Sequence, residues 1–193
     1  MIRVFVLAGL AAALCACQEA AQTTPEPRIY ARIVTLAPNL TELVFAVGAG
    51  DQLVGVSAWS DFPPQALELP LVGDAFTVDQ EKLALLDPDL LLVWESGTPP
   101  HTVDELRDAG YMVEAIRTRS LGDVGDALMR IGELTGRAAE AESVAAEFEA
   151  GLRALRAAQE GRPPISVFYQ ASARPLYTVN REHYVSDLIE ICG

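Results

Sequence analysis

The sequence is poor in the residues on which most bound metals and most covalent chemistry depend. Its 193 residues include three cysteines and two histidines. Cys15 and Cys17 sit close to the start, Cys192 close to the end, and the histidines are His101 and His183, far apart in the chain. A transition-metal site usually wants several imidazoles or thiolates together, so no zinc or manganese centre is expected. Basic residues are also scarce: 14 Lys and Arg against 27 Asp and Glu give a formal net charge of −13, which argues against nucleic acid as a partner. No G-x-S-x-G elbow, C-x-x-C pair, H-E-x-x-H or phosphate loop occurs, so acyl transfer, thiol redox and nucleotide chemistry have no candidate centre. Gly48-Ala-Gly50 opens like a dinucleotide fingerprint, but Leu53 stands where its third glycine belongs and a helix precedes it, so it reads as a helix stop. Asp87 and Asp89 bracket Pro88 in a tight turn, where aspartates cap and solvate. No catalytic residue is assigned.

Long apolar runs are absent too, apart from one at the start, so no membrane-spanning helix is expected in the body of the chain. Residues 1–17 read MIRVFVLAGLAAALCAC: one basic residue, Arg3, then an apolar stretch too short to anchor stably in a bilayer. This is an export signal over residues 1–16. It closes on Leu14-Cys15-Ala16-Cys17, which resembles a lipobox and implies cleavage before Cys17, with acyl chains on the cysteine's sulfur and amine. The mature protein is then lipid-anchored to a membrane and resides in the periplasm or cell envelope. A plain secretory signal cut elsewhere is the alternative, and it leaves Cys17 as an odd thiol in an oxidising compartment. Residues 17–31, polar and carrying Pro25 and Pro27, read as a tether.

What is present in the body is an alternation of strand and helix patterns. Residues 32–38 (RIVTLAP) are a short apolar strand, Asn39-Leu-Thr-Glu42 has capping-box spacing, and the helix it opens stops at Gly48. Strands follow at 52–57 and 71–73, with the proline-stopped loop Trp59-Ser-Asp-Phe-Pro-Pro64 between them. Thr77-Val-Asp-Gln80 is a second capping box, opening a helix through Leu86. Residues 90–94 (LLLVW) are all apolar, as in a central parallel strand buried on both faces. A helix from Thr98-Pro-Pro100 to Gly110, a strand at 111–116 and a helix capped by Ser120-Leu-Gly-Asp123 follow, the last with Val124, Leu128, Ile131 and Leu134 inward.

Residues 138–159 then form one long proline-free helix of strong helix formers, with Val144, Phe148, Leu152 and Leu155 on a single stripe. At 1.5 Å per residue it runs roughly 33 Å, about the diameter of a small domain. It is either a strut between two lobes or an ordinary helix packed on one sheet, and the helix alone leaves both open. A strand at 165–171, an extended stretch at 176–179 and a helix at 182–192 complete the chain. The pattern is that of an α/β protein with a largely parallel sheet.

Aromatic side chains fall at strand ends: Trp59, Phe76, Trp94 and, beyond the long helix, Tyr177. Clefts at strand ends are where open α/β sheets take ligands. Singly, each ring is more often core or rim; together they suit a broad, flat, partly apolar ligand.

Arg32-Ile-Val-Thr-Leu-Ala-Pro-Asn-Leu-Thr-Glu42, Val54-Gly-Val-Ser57, Ser60-Asp-Phe-Pro-Pro64, Glu81-Lys-Leu-Ala-Leu-Leu-Asp-Pro-Asp-Leu90 and Ile189-Glu-Ile-Cys-Gly193 together resemble the cobalamin and iron-siderophore periplasmic substrate-binding proteins of ABC importers, most closely those for cobalamin. The resemblance implies two Rossmann-like α/β lobes: residues 32–137, a bridging helix at 138–160, and a second lobe beginning at 161–193. It implies no enzyme activity and no cofactor, but a small-molecule ligand, cobalamin or else a ferric siderophore or haem, and an importer permease as partner. Trp59, Phe76 and Tyr177 fall on the family's ring positions, and Glu81 on the carboxylate that docks the permease. Cys192 falls on one half of a disulfide. Residues 161–193 are short of the roughly 100 residues such a lobe wants, so the second lobe is expected to be incomplete, with the cysteine's partner and the second docking carboxylate beyond Gly193. A secreted α/β enzyme using the same cleft is the competing class, and it lacks a nucleophile-base pair.

Overall fold

The computed structural model describes residues 28–74 and 77–192; the leader with Cys17, most of the tether, Phe76 and Gly193 lie outside the described residues. Four parallel strands form the central sheet in the order β2-β1-β3-β4: β1 (Ile33–Thr35), β2 (Leu53–Val56), β3 (Leu90–Trp94) and β4 (Val113–Ile116). Helix α1 (Pro38–Ala46) links β1 to β2, α2 (Gln80–Leu86) leads into β3, and α3 (Pro100–Asp108) links β3 to β4. Then come α4 (Leu121–Thr135), α5 (Ala138–Gln159), a hairpin of β5 (Ser172–Ala173) and β6 (Leu176–Tyr177), and α6 (Tyr184–Cys192). The fold is mixed α/β, as the strand-helix alternation predicts.

The sheet is covered on both faces. Leu90 and Leu92 of β3 point into one core with Ile33, Leu40, Leu128 and Ile131, while Leu91 and Val93 point into the other with Val34, Leu83 and Leu106. The three leucines and the valine of β3 are essentially inaccessible to water, which is why this strand has no polar position before Trp94. Its entry is fixed electrostatically. The Asp89 carboxylate accepts the main-chain N–H groups of Ala31 and Arg32, both at 2.9 Å, and the Arg32 guanidinium donates to the Leu86 and Asp87 carbonyls at the end of α2. Asp89 is therefore structural, as its turn context suggests, and Asp87 closes α2 in the left-handed region (φ 44°).

Several local expectations are corrected. Pro38 occupies the first helical position of α1 and Ala37 caps it without a side chain, so Asn39 is already inside the helix and makes no capping box. The cap of α2 is Asp79, not Thr77; its Oδ1 accepts from the Lys82 N–H at 3.0 Å. Residues 71–73 form only isolated bridges, Leu71 with Val56 and Gly73 with Val78, because the chain crosses the sheet edge too briefly to build a ladder. Residues 165–171 carry no strand among the described residues, and Ile165 and Phe168 are exposed, since no neighbouring strand offers them backbone partners.

The long helix has the bounds read from the sequence, 22 residues. Its contact stripe lies one step over from the expected one: Ala141, Ala145 and Leu152 are buried, with Val144 and Phe148 beside them, and Leu155 is 49% exposed. The small residues set the spacing. A Cβ on Gly132 would stand 2.3 Å from the Ala141 Cβ, so the α4 and α5 backbones meet there closely. Further along, Leu152 and Phe148 pack with Leu121, Ile191 and Tyr184, which seats α6 against α5 and the start of α4.

The start of α4 is the most heavily capped point in the fold. Ser120 Oγ accepts from the Asp123 N–H, and Asp123 Oδ2 accepts from the N–H groups of Ser120 (3.0 Å) and Arg119 (2.8 Å). Arg117 donates to Asp123 Oδ1 at 2.9 Å, and Asp187 of α6 accepts from the Leu121 N–H at 2.9 Å. Burial by itself would raise the Asp123 pKa; the amides of Ser120 and Arg119, the Arg117 charge and the Ser120 hydroxyl outweigh it and hold the carboxyl below its ordinary value. A carboxyl lowered in the folded state stabilises the fold above its unfolded pKa of about 3.9, and that contribution is lost as the pH falls through the lower folded value. Asp123→Asn should therefore cost about 1–2 kcal/mol at pH 7. Urea unfolding at pH 7 and at pH 3 checks this; the difference between the two proteins should shrink at the lower pH, and an equal difference at both would show that the charge is not the cause.

Candidate functional site

The strands are parallel, so the segments leaving their C-terminal ends gather at one edge of the sheet. At that edge lies a recess of about 280 Å³ lined by Leu36, Pro38, Ala58, Trp59 and Trp94, with Asp74 among them. Trp59 and Trp94, expected at strand ends, are thus brought to one place. Trp94 closes β3 and packs over Gly97, where any Cβ would fall 2.0 Å from the ring. Trp59 is different: 84% of its surface is exposed, and its backbone stands at φ 70°. A left-handed conformation costs a residue with a side chain about 1–2 kcal/mol, so the indole is held outward at an energetic cost.

The loop that carries it is anchored from beneath by hydroxyls that sequence reading did not single out. Thr35 Oγ1 lies 2.6 Å from Thr41 Oγ1, Thr41 Oγ1 lies 3.0 Å from Ser60 Oγ, and Ser60 Oγ lies 3.3 Å from Ser57 Oγ. All four side chains are buried. Main-chain bonds complete the loop: Ala58 N–H to Gly73 O, Ser60 N–H to Ser57 O and Asp61 N–H to Trp59 O. The available sequence signal was the cluster of Ser and Thr just beyond β1 and β2, where open positions at strand ends favour small polar side chains.

A second recess of about 200 Å³ lies on the other flank of α1, lined by Asn39, Glu42, Leu43, Thr118, Val124 and Tyr184. Burial, and then the Asp61 charge, raise the Glu42 pKa; burial, and then Tyr169, raise that of Tyr184. The nearby arginines are occupied. Arg119 makes a two-pronged contact with Glu95 at 3.0 and 2.7 Å, and Arg117 is on Asp123. A roomier depression of about 510 Å³, between the ends of α5 and α6 and lined by Arg156, Glu160 and Glu190, is wide open and lies away from the strand ends. We assign the site to the aromatic recess because it combines apolar walls with convergent main-chain and hydroxyl groups.

The remaining candidates are dispersed. Tyr177 sits in the β5–β6 hairpin, 58% exposed and outside the set lining the recess. Glu81 is exposed in the first turn of α2, at the same edge of the sheet as the recess, since α2 enters from that edge and leads down into β3. Cys192 is exposed and free at the end of α6. Among the described residues no group of three or more His, Cys, Asp or Glu is placed to hold a metal ion, and no helix is long and apolar enough to cross a membrane.

Residues 33–193 match the family of periplasmic binding proteins. The chain is 36% identical over 162 residues to the vitamin B12-binding protein of Vibrio cholerae serotype O1, covering 84% of this chain and 59% of that protein. The solved structure of the periplasmic vitamin B12-binding protein of Vibrio cholerae superposes with a TM-score of 0.78 at 36% identity, over 86% of this chain and 66% of that one. A periplasmic heme-binding protein from Roseiflexus gives 0.72 at 28% identity, over 83% and 63%. A possible iron-binding periplasmic protein from Staphylococcus epidermidis gives 0.72 at 27%, over 86% and 66%. The chain thus spans a little under two thirds of the length of these relatives. With most of its sequence and its parallel sheet matched in this way, the chain belongs to the periplasmic binding protein family.

Proposed function

We propose that this protein is a non-catalytic, periplasmic solute-binding protein that captures cobalamin and delivers it to the permease of an ABC importer. The observation that carries the reading is the Trp59 ring, exposed over an apolar recess at the strand ends, in a chain 36% identical over 162 residues to a vitamin B12-binding protein. A corrin is a broad, flat macrocycle, and an indole face held outward is a surface on which it can settle with little ordering cost. Phe76 and Tyr177 are proposed as further ring contacts, the first lying two residues from Asp74 of the recess in sequence and the second on the hairpin beyond α5. In this reading residues 32–137 are one lobe, residues 138–160 the bridging helix and residues 161–193 the beginning of the other. The seating of α6 against α5 and α4 is consistent with a stiff bridge.

Haem or a ferric siderophore is the second reading, favoured by the heme-binding and iron-binding proteins among the structural relatives. The acidic balance of the chain and the pairing of Arg117 and Arg119 with carboxylates leave little positive charge for an anionic ligand, which favours cobalamin. Glu81 is proposed to dock an arginine of the permease, and Cys17 to carry the lipid that keeps the protein at the membrane. Cys192, free here, is proposed as one half of a disulfide.

Cyanocobalamin should bind saturably and quench tryptophan fluorescence. Covering the Trp59 face is worth about 1.5–3 kcal/mol, so Trp59→Ala should weaken binding roughly 10- to 100-fold. Saturable haem or siderophore binding without cyanocobalamin binding would reject the corrinoid and leave the family reading in place. Glu81→Ala should reduce association with the permease by on the order of 10-fold or more, with ligand affinity nearly unchanged; an equal loss of ligand binding would put Glu81 in the pocket. Cys17→Ser should accumulate an unprocessed, slower-migrating precursor that takes up no labelled palmitate, and normal labelling of that variant would end the lipoprotein reading.

A further inference from the structure

We infer that Thr41 is the positioning residue for Trp59: its hydroxyl is the hub of a closed hydrogen-bond chain that holds the strained Trp59 loop in its ligand-ready conformation. A hydroxyl donates one proton and accepts up to two. Thr35, Ser57 and Ser60 each have a hydroxyl within reach, and Thr41 has a further acceptor in the Ala37 carbonyl, at a long 3.5 Å. Within this set one arrangement uses every proton. Thr35 and Ser60 donate to Thr41, Ser57 donates to Ser60, and Thr41 donates to Ala37. Any arrangement in which Thr41 donates to Thr35 or to Ser60 leaves at least one hydroxyl proton of the chain without an acceptor in this set.

Thr41 belongs to α1, which is packed on the sheet, whereas Ser57 and Ser60 flank Trp59 on either side. The hub therefore ties both flanks of an exposed ring to the interior. Trp59 itself supplies no burial that would hold its backbone at φ 70°, being 84% exposed, so the conformation persists only as far as its flanks are held. Removing the Thr41 hydroxyl orphans two buried donors at once, those of Thr35 and Ser60, and frees the loop to relax out of the left-handed region. The ring then has to be ordered again when ligand arrives, which lowers affinity without removing an atom that touches the ligand.

For its effect on binding the inference rests on the ligand reading above; for its effect on the loop it does not. The sequence has two tryptophans, so protein labelled with 5-fluorotryptophan gives two fluorine resonances, and Trp59→Phe assigns them. Thr41→Val, nearly isosteric, should shift or broaden the Trp59 resonance in ligand-free protein, leave that of Trp94 in place, and weaken cyanocobalamin binding by ~10-fold or more. Thr41→Ser, which keeps the hydroxyl, should restore both. Ser60→Ala, which removes one donor to the hub, should give a smaller change of the same kind and takes the place of Thr41→Val should that variant lack a cooperative melt. An unmoved Trp59 resonance overturns the inference, as does a moved resonance with unchanged affinity. Should the wild-type protein not bind cyanocobalamin, the ligand reading fails, and the resonance alone decides whether Thr41 positions Trp59.

Discussion

The constraint on which the structure depends is the burial of β3 on both faces. A strand read as Leu-Leu-Leu-Val has no side fit for water, so helices have to cover the sheet twice, with α1 and α4 on one face and α2 and α3 on the other. Parallel strands require crossovers, and each crossover returns the chain to the same edge before it leaves again. Every segment that departs from a strand therefore emerges at one edge, and the apolar recess lies there. The site is a consequence of topology first and of its residues second.

At that edge the chain gives up local stability. A tryptophan left almost wholly in water, in a backbone conformation unfavourable for any residue with a Cβ, is a poor choice for folding. The net contribution of each hydrogen bond beneath it is about 1 kcal/mol, so a chain of several is of the size needed to offset about 1–2 kcal/mol of backbone strain. Local rules broken at one point and compensated directly underneath are what a functional loop on a rigid scaffold looks like.

Much of the fold was legible in advance. The bounds of α5, the Ser120–Asp123 box, the all-apolar β3 and the glycine stops at Gly48 and Gly110 follow from local rules that tertiary packing did not overturn. Errors arose where two signals competed. Asn39-Leu-Thr-Glu42 has capping-box spacing, but Pro38 starts the helix one residue earlier. Leu155 continues an apolar periodicity, but the close approach at Gly132 and Ala141 rotates α5 so that alanines make the contact. Residues 165–171 have the composition of a strand, but a strand needs a neighbour to hydrogen-bond, and composition does not supply one.

Of the site, Trp59 and Trp94 were legible only as members of a set, because a single large aromatic at a strand end is more often core or rim, whereas several together suit a flat ligand. Thr35, Thr41, Ser57 and Ser60 were not, since isolated hydroxyl residues are common and mean nothing until a fold brings them within 3.3 Å of one another. By itself the sequence determined the α/β class, the order of the elements from β1 to α5 and the acidic charge balance, because these depend on periodicity and composition, which are local. Only the tertiary structure decided which aromatics share a recess, which face of α5 is buried and how Trp59 is held. Those depend on distances between residues far apart in the chain, and such distances exist only once the sheet is assembled.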